Sequence, residues 1–252
     1  MQKGRKIRLT AGRKLVAEIL HHAQKVPAIT VSMPINVGPL VAARRASGVA
    51  ISWPSLFLKA CGLVSQRRPE LRRCYMRWPF PHLYEHPCSQ GVIMMEREWE
   101  GENVVLGGRI RSPETMTLLE IEKQLQSMRQ LPVWEVSCFR QFLRLGALPG
   151  WIRRFSFWQT LYLWGYKRCK RFGTFAMSSL GDLNTELVHP LTPLTSYITY
   201  GPISATGDVT VKIIYDHRVF DGRDGARCLN EMQHVLNVEV YDELRTLANR
   251  AA

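Results

Sequence analysis

The chain has 252 residues, of which 46 % are hydrophobic, so it can bury a substantial core within a single domain. Its formal net charge of +13 predicts attraction to nucleic acid, an anionic membrane, a phosphorylated cofactor or an acidic protein. The basic, polar start does not resemble a secretory signal and no apolar run reaches ~18 residues, so we expect a cytoplasmic protein without a transmembrane helix.

The first part of the chain predicts a helix, a strand and a second helix. Thr10 is a suitable N-cap for the periodic stretch RKLVAEILHHAQK, which Pro27 terminates. The run AITVSMPINV that follows is typical of a strand. A second helix is expected to open at Ser52 and to continue to about Val64, because the proline that follows is tolerated in a first turn.

The remaining elements predict an α+β domain with a mixed sheet. The runs VIMMERE and NVVLGGRI, separated by Gly101, predict a hairpin, and a helix is expected from Ser112 to about Leu131. Three β-rich runs follow further on, GTFAMSSLG, SYITYGPISA and TVKIIYD, and the helical stretch GRDGARCLNEMQHVLN closes the core. Helices and strands do not alternate as regular βαβ units, which favours the α+β class.

Six cysteines are spread along the chain, and none of their spacings matches a C-x-x-C redox pair or a zinc site. We therefore expect unremarkable free thiols and no metal. Most of the histidines also lack a partner pattern and are interpreted as structural. These are His21, His22, His82, His86, His189 and His234.

One histidine stands out because of its position. His217 follows an alternating strand, and Asp221 lies four positions later, where that strand gives way to a helix. Histidine is the usual general base near neutral pH, and a base needs a partner that fixes its tautomer. Asp221 could orient the imidazole directly, or it could brace the turn by pairing with an arginine.

The residues around this pair resemble a known family. The run D-H-R-V-x-D-G-x-x-G-A, from Asp216 to Ala226, resembles the signature of the catalytic domain of dihydrolipoamide acyltransferases and of the related chloramphenicol acetyltransferases. The stretch GTFAMSSLG is similar to the family's G-T-F-T-I-S-N-L-G, and RKLVAEILHHAQKVPAITV resembles its N-terminal helix and strand. Condensation domains of peptide synthetases share H-x-x-x-D-G, but they normally carry a second histidine where Asp216 stands.

The resemblance implies a fold and an assembly. We expect a chloramphenicol acetyltransferase-like two-layer domain spanning 1–252, with a mixed sheet and packed helices, that forms homotrimers. In this family each active site is a channel between subunits. The thioester donor enters one end of that channel and the acceptor enters the other.

The resemblance also implies roles for individual residues. His217 would be the general base and Ser178, from the neighbouring subunit, would stabilise the oxyanion, with Ser179 as the alternative if the alignment shifts by one position. Asp221 would hold the turn, pairing with Arg13, and Gly222 would support it.

The family's dehydrogenase enzymes carry lipoyl domains ahead of this core, and none is present in this sequence. We therefore expect a free-standing acyltransferase with no lipoyl group and no covalently bound cofactor. Its donor would be acyl-CoA or an acyl carrier protein, whose acidic surface suits a basic partner, and its acceptor a hydroxyl, amine or thiol. Two alternatives stay open: a non-catalytic trimeric scaffold, and a small-molecule O-acetyltransferase of the chloramphenicol type.

The segment 139–171 departs from the family and is interpreted as a basic, aromatic helical insertion. It contains no Asp or Glu, and four of its aromatic residues share one helical face: Trp151, Phe155, Trp158 and Tyr162. This face could pack on a trimer neighbour or the core, rest on an anionic membrane surface, or form a wall for an acyl chain. For the last function Trp158 and Tyr162 are the candidate substrate-binding residues. No nucleic-acid-binding motif accompanies the segment, so nucleic acid is not expected as a partner.

Overall fold

A computed structural model describes residues 3–251 of the chain. The helices are α1 Ala11–Ala23, α2 Gly38–Ala46, α3 Trp53–Arg67, α4 Leu118–Gln130, α5 Ser137–Ala147, α6 Gly150–Tyr162, α7 Gly165–Phe172, α8 Gly222–Val235 and α9 Tyr241–Ala251. The strands are β1 Ala28–Asn36, β2 Arg73–Met76, β3 His82–Glu85, β4 Gln90–Trp99, β5 Glu102–Arg111, β6 Phe175–Ser179, β7 Ser196–Tyr200 and β8 Asp208–Asp216. A π-helical turn, Leu236–Val240, joins α8 to α9.

Six of the strands form one mixed sheet in the order β1-β8-β7-β6-β4-β5. The strands β4, β6 and β7 are parallel to one another, whereas the β1–β8, β7–β8 and β4–β5 pairs are antiparallel. The remaining two strands, β2 and β3, form a separate hairpin. This arrangement confirms the predicted α+β class with a mixed sheet.

The sheet has a large core on one face and a smaller one on the other. The large core packs α3, α4 and α8 against the sheet, and within it Phe57 stacks on Tyr200 with ring centroids 4.0 Å apart. The smaller core contains Leu15 of α1 and Phe157 of α6. The strands β4, β6, β7 and β8 supply side chains to both cores because successive residues point to opposite faces.

Local signals in the sequence set several of these boundaries. The Thr10 hydroxyl accepts a hydrogen bond from the amide of Arg13 at the start of α1, as expected for an N-cap. Gly101 has a φ of +76°, which a tight hairpin turn between β4 and β5 requires. The predicted start of α4 at Ser112 was wrong, because Thr117 and Glu120 form a capping box that begins the helix at Leu118.

The aromatic pattern of the segment 139–171 predicted one helix. The segment instead contributes to three short helices, α5 to α7. The aromatic face of α6 points outward, with Trp151 76 % and Phe155 56 % exposed. The face that packs on the sheet instead contains Phe157 and Leu161, which are almost fully buried. Within residues 3–251, no helix combines the length and apolar character needed to cross a membrane.

Candidate active site

The candidate base lies in the turn that follows β8. The amide of His217 donates a hydrogen bond to the carbonyl of Pro27, at the start of β1, over 3.1 Å. The amide of the preceding Asp216 donates to the carbonyl of Thr195, ahead of β7, over 2.8 Å. The backbone on both sides of the imidazole is therefore fixed by the neighbouring strands.

The imidazole itself remains accessible. The side chain of His217 is 42 % exposed, and its Nδ1 lies 3.3 Å from Oδ1 of Asp221. If Nδ1 carries the proton toward this carboxylate, Nε2 is left as the basic nitrogen. The predicted proximity of His217 and Asp221 is thus present in the geometry, and the carboxylate lies where it can orient the ring.

The turn is braced by a second aspartate, which the sequence analysis did not identify. The fully buried carboxylate of Asp216 accepts hydrogen bonds from the Arg218 amide at 3.0 Å, from its Nε at 2.9 Å and from its Nη2 at 2.7 Å. The guanidinium of Arg218 also lies over the ring of Tyr75, 4.4 Å from its centroid. The D-H-R tripeptide could have indicated this ion pair, because an acidic and a basic residue directly flank the histidine.

The expected ion pair of Arg13 with Asp221 is absent from the part of the chain that the structure describes. Arg13 is exposed in the first turn of α1, whereas the chain meets the His217 turn at Pro27, beyond the other end of that helix. The ten helical steps from Arg13 to Ala23 alone span about 15 Å of helix. Gly222 is the first residue of α8, and a Cβ there would lie 3.3 Å from the Tyr215 hydroxyl, so the glycine permits close packing.

Ser178 and Ser179 occupy opposite faces of β6 and differ in how their hydroxyls are used. The Ser179 hydroxyl donates to the carbonyl of Tyr200 at 2.8 Å and accepts from the amide of Gly181, so it closes the turn after β6. The Ser178 hydroxyl instead accepts a hydrogen bond from the Tyr197 hydroxyl at 3.1 Å. Burial raises the pKa of Tyr197, which keeps this donor protonated. Within residues 3–251 the Ser178 hydroxyl forms no other hydrogen bond, so its own proton is not committed to a partner, and the residue is 9 % exposed in a single copy.

Ser178 and His217 do not meet within one chain. Ser178 pairs with Thr199 of β7, which in turn pairs with Lys212 of β8, so the serine lies two strands away from β8. Through these pairs Ser178 is level with Lys212, which is five residues before His217 along the chain. At ~3.3 Å per residue and ~4.8 Å per strand, the two residues are about 19 Å apart. A shared reaction centre therefore requires two copies of the chain.

The two candidate substrate-binding residues lie on different parts of α6. The Tyr162 hydroxyl lies 3.2 Å from Nδ1 of His22. Burial raises the pKa of Tyr162, and the charges of nearby cations, Arg218 among them, oppose that shift. Arg168 donates to the carbonyls of Leu161 and Tyr75, and Arg218 lies over the Tyr75 ring, so the C-terminal end of α6 is close to the braced turn. Trp158 stacks on Phe155 with centroids 6.2 Å apart, on the outward face.

Other catalytic chemistries find little support in the rest of the described chain. No group of three or more potential metal ligands occurs in residues 3–251. Burial raises the pKa of Cys169 and of Cys228 to about 12, so both remain protonated thiols rather than nucleophilic thiolates. The exposed imidazole of His217 beside the Asp221 carboxylate is the candidate catalytic group that the geometry favours.

Comparison with known proteins identifies the fold. The sequence matches no protein-family model and no curated protein. Among solved structures, the cubic core of the pyruvate dehydrogenase multienzyme complex is similar with a TM-score of 0.68 and 17 % identity, over 94 % of this chain and 93 % of that one. The dihydrolipoamide acetyltransferase of Azotobacter vinelandii has a TM-score of 0.67 and 17 % identity, over the same shares.

A structure described as chloramphenicol acetyltransferase is also similar, with a TM-score of 0.50 and 11 % identity over 95 % of each chain. These three neighbours cover nearly the whole chain. The fold that the sequence resemblance implied is therefore confirmed: this chain has the chloramphenicol acetyltransferase-like fold of the dihydrolipoamide acyltransferase cores.

Proposed function

We propose that the protein is an acyltransferase that works as a homotrimer, with each reaction centre formed between two copies of the chain. It would move an acyl group from a coenzyme A or acyl-carrier-protein thioester to a hydroxyl, amine or thiol acceptor. His217 would take the proton of the acceptor as the acceptor attacks the thioester carbonyl. The thiol of the donor would then leave, taking up a proton from the imidazolium.

The observation that carries this proposal is the exposed imidazole of His217 on a braced turn. Its Nδ1 faces Asp221 at 3.3 Å, while hydrogen bonds to the neighbouring strands and the Asp216–Arg218 pair fix the backbone around it. A general base needs this combination of access for the substrate and restricted ring orientation. A scaffold without catalysis would not need it.

Ser178 would supply the second part of the site from the neighbouring copy. Its hydroxyl accepts from Tyr197 and can donate its own proton to the oxyanion that forms when the acceptor attacks. The estimated separation of about 19 Å within one chain supports a site shared between copies. The cubic-core neighbour is itself a multienzyme core assembly, which supports self-association of this fold.

The Azotobacter neighbour supports the same assignment. That structure belongs to a study of three residues in the catalytic mechanism: a serine, a histidine and an asparagine that lies four positions after the histidine. In the present chain Asp221 stands four positions after His217. The spacing is the same, but a carboxylate takes the place of the amide.

The proposal is tested by measuring thiol release from acyl-CoAs of increasing chain length, with panels of thiol, amine and hydroxyl acceptors. We expect acceptor-dependent release that His217→Ala reduces by at least about a hundredfold. The matched control is His234→Ala, because His234 is an exposed histidine of α8. Full activity in His217→Ala would refute the assignment. Failure of the wild-type protein to bind coenzyme A in calorimetry, together with no release, would favour the scaffold alternative.

A further inference from the structure

A wide cleft lies at the edge of the sheet opposite to His217. It runs between β5 and the helices α4, α5 and α7, and has a volume of about 1320 Å³. Binding sites for drug-sized molecules usually measure ~300–1,000 Å³, so this cleft has room for a larger ligand. Because β5 and β8 are at opposite sides of the sheet, the cleft is separate from the braced turn.

The rim of the cleft carries a concentration of unpaired positive charge. Six of its lining residues are exposed cations: Arg111, Lys123, Arg144, Lys167, Lys170 and Arg171. The ion pairs formed within residues 3–251 include none of these six. Glu135 is the single acidic residue among those that line the cleft. Like charges at this density repel one another, so an anionic occupant would be favoured.

Hydrogen bonds between neighbouring elements hold the walls of the cleft in place. The guanidinium of Arg109 donates from Nη1 to the carbonyl of Lys170 at 2.5 Å and from Nη2 to Oε1 of Gln141 at 2.7 Å. These bonds tie β5 to α7 and α5. Arg171 donates to the hydroxyl of Thr160 at 2.9 Å, which joins α7 to α6. The cations on the rim are thereby presented from elements that are fixed relative to one another.

Apolar side chains also line the cleft. They come from α4, α5, α7 and the segment after α4, and include Met128, Leu131, Phe142, Leu145 and Phe172. A purely ionic ligand would leave this surface in contact with water. A second copy of the chain would bring its own excess of positive charge toward the rim. A bilayer surface is too flat to fill a concave cleft.

We propose that this cleft binds a single amphiphilic molecule that joins a phosphate head to an apolar chain. The phosphate would accept charge-assisted hydrogen bonds from rim cations such as Arg144 and Lys170. The chain would cover the apolar walls and remove them from water. The cleft lies on the opposite side of the sheet from His217, and the proposal does not depend on the function proposed for that residue.

The test is calorimetric titration of the full-length protein with monomeric oleoyl lysophosphatidate, below its micelle concentration. Oleoyl lysophosphatidylcholine has the same chain but no net charge, and inorganic pyrophosphate has the charge without the chain. We expect lysophosphatidate to bind at least about tenfold more tightly than either. The variant Lys123→Gln/Arg144→Gln should weaken binding at least about tenfold, whereas the control Lys14→Gln/Arg45→Gln, which removes two exposed cations elsewhere, should not.

Other outcomes would overturn the proposal. Pyrophosphate binding as tightly as lysophosphatidate would show a phosphate site without a chain site. Binding to phosphatidate vesicles but not to the monomer would indicate a membrane surface. Binding of a polyglutamate peptide in preference to lysophosphatidate would indicate a protein partner. Loss of lysophosphatidate binding in a folded His217→Ala variant would place the ligand in the acyl-transfer centre instead.

Discussion

Asp216 and Arg218 form a bidentate ion pair that spans the residue between them, His217. The carboxylate is fully buried and accepts from Nε and Nη2 of the arginine at 2.9 and 2.7 Å. Removing one partner of a buried pair leaves the other charge without compensation, which typically costs about 3–5 kcal/mol. Because the remaining Arg218 is 33 % exposed, the cost should lie below this range. We expect Asp216→Asn to lower the free energy of unfolding by about 2 kcal/mol and to reduce acyl transfer, because the turn that carries His217 is loosened.

Urea denaturation and activity assays of the same preparation check this expectation. The comparison variant is Asp224→Asn, since Asp224 pairs with Arg227 on the partly exposed surface of α8. If Asp216→Asn were as stable and as active as this control, the brace would have no role in positioning His217.

Asp221 should contribute far less to the rate of acyl transfer than His217 does. Its side chain is 78 % exposed, and an ion pair in contact with water is worth ~1 kcal/mol at most. We therefore expect Asp221→Asn to keep its activity within about fivefold of the wild type, because the amide oxygen can still accept from Nδ1. Steady-state kinetics of Asp221→Asn would test this expectation. A loss of activity as large as that of His217→Ala would mean that the carboxylate charge is essential.

Glu18 should be the main electrostatic contact between α1 and α6. Its carboxylate is 3 % exposed and lies 3.4 Å from Nε of Arg153 and 3.2 Å from Nε of Arg154. Glu18→Ala leaves the largely buried Arg153 without its anion, so we expect a loss of about 3 kcal/mol in the free energy of unfolding. Glu98→Ala, at an exposed position of β4, is the matched control, and equal melting temperatures for the two variants would contradict this account.

His22 should make the stability of the fold depend on pH. Burial, assisted by the charge of Lys25, lowers the pKa of His22 to about 4, although Glu18 acts in the opposite direction. The unfolded chain, with a histidine pKa of ~6.5, then binds more protons than the folded one between these values. The contribution of the neutral imidazole is fully present above pH 6.5 and is lost as the pH falls toward 4.

Urea unfolding at pH 7.5 and pH 5 measures this effect. We expect the free energy of unfolding to decrease between the two pH values more in the wild type than in His22→Gln, because glutamine does not titrate. An identical decrease in both proteins would show that His22 does not carry the dependence.

The sequence predicted the elements whose signals are local. Thr10 and Gly101 act through their own backbone geometry, so the start of α1 and the β4–β5 hairpin were correctly placed. The helix α2 and the β2–β3 hairpin were missed because they are short and have weak periodicity. For such elements, contacts from distant parts of the chain decide the structure.

The parts of the site that depend on long-range packing could not be predicted in the same way. A shift of one residue moves a strand side chain to the opposite face, so the choice between Ser178 and Ser179 required the register of β6. On α6 aromatic residues surround the helix, and the contact of Glu18 with Arg153 determines which side faces inward. The pairing of Asp221 with Arg13 was carried over from the family, and the length of α1 separates them here.

Ser178 gives the sharpest prediction about the assembly. We expect Ser178→Ala to reduce the rate of acyl transfer by about 10²–10³, which is typical for loss of one oxyanion donor. The free energy of unfolding should fall by about 1–3 kcal/mol, because the buried Tyr197 hydroxyl is left without its acceptor. Ser179→Ala, which breaks the turn contact to Tyr200, should instead affect stability more than the rate.

The central claim is that each reaction centre combines His217 of one copy with Ser178 of another, and complementation tests it most directly. The inactive variants His217→Ala and Ser178→Ala would be co-expressed so that they form mixed trimers. In an equal, random mixture about one centre in four would receive both intact residues, so we expect about a quarter of the wild-type rate. A mixture no more active than the better of the two variants alone would contradict a shared site.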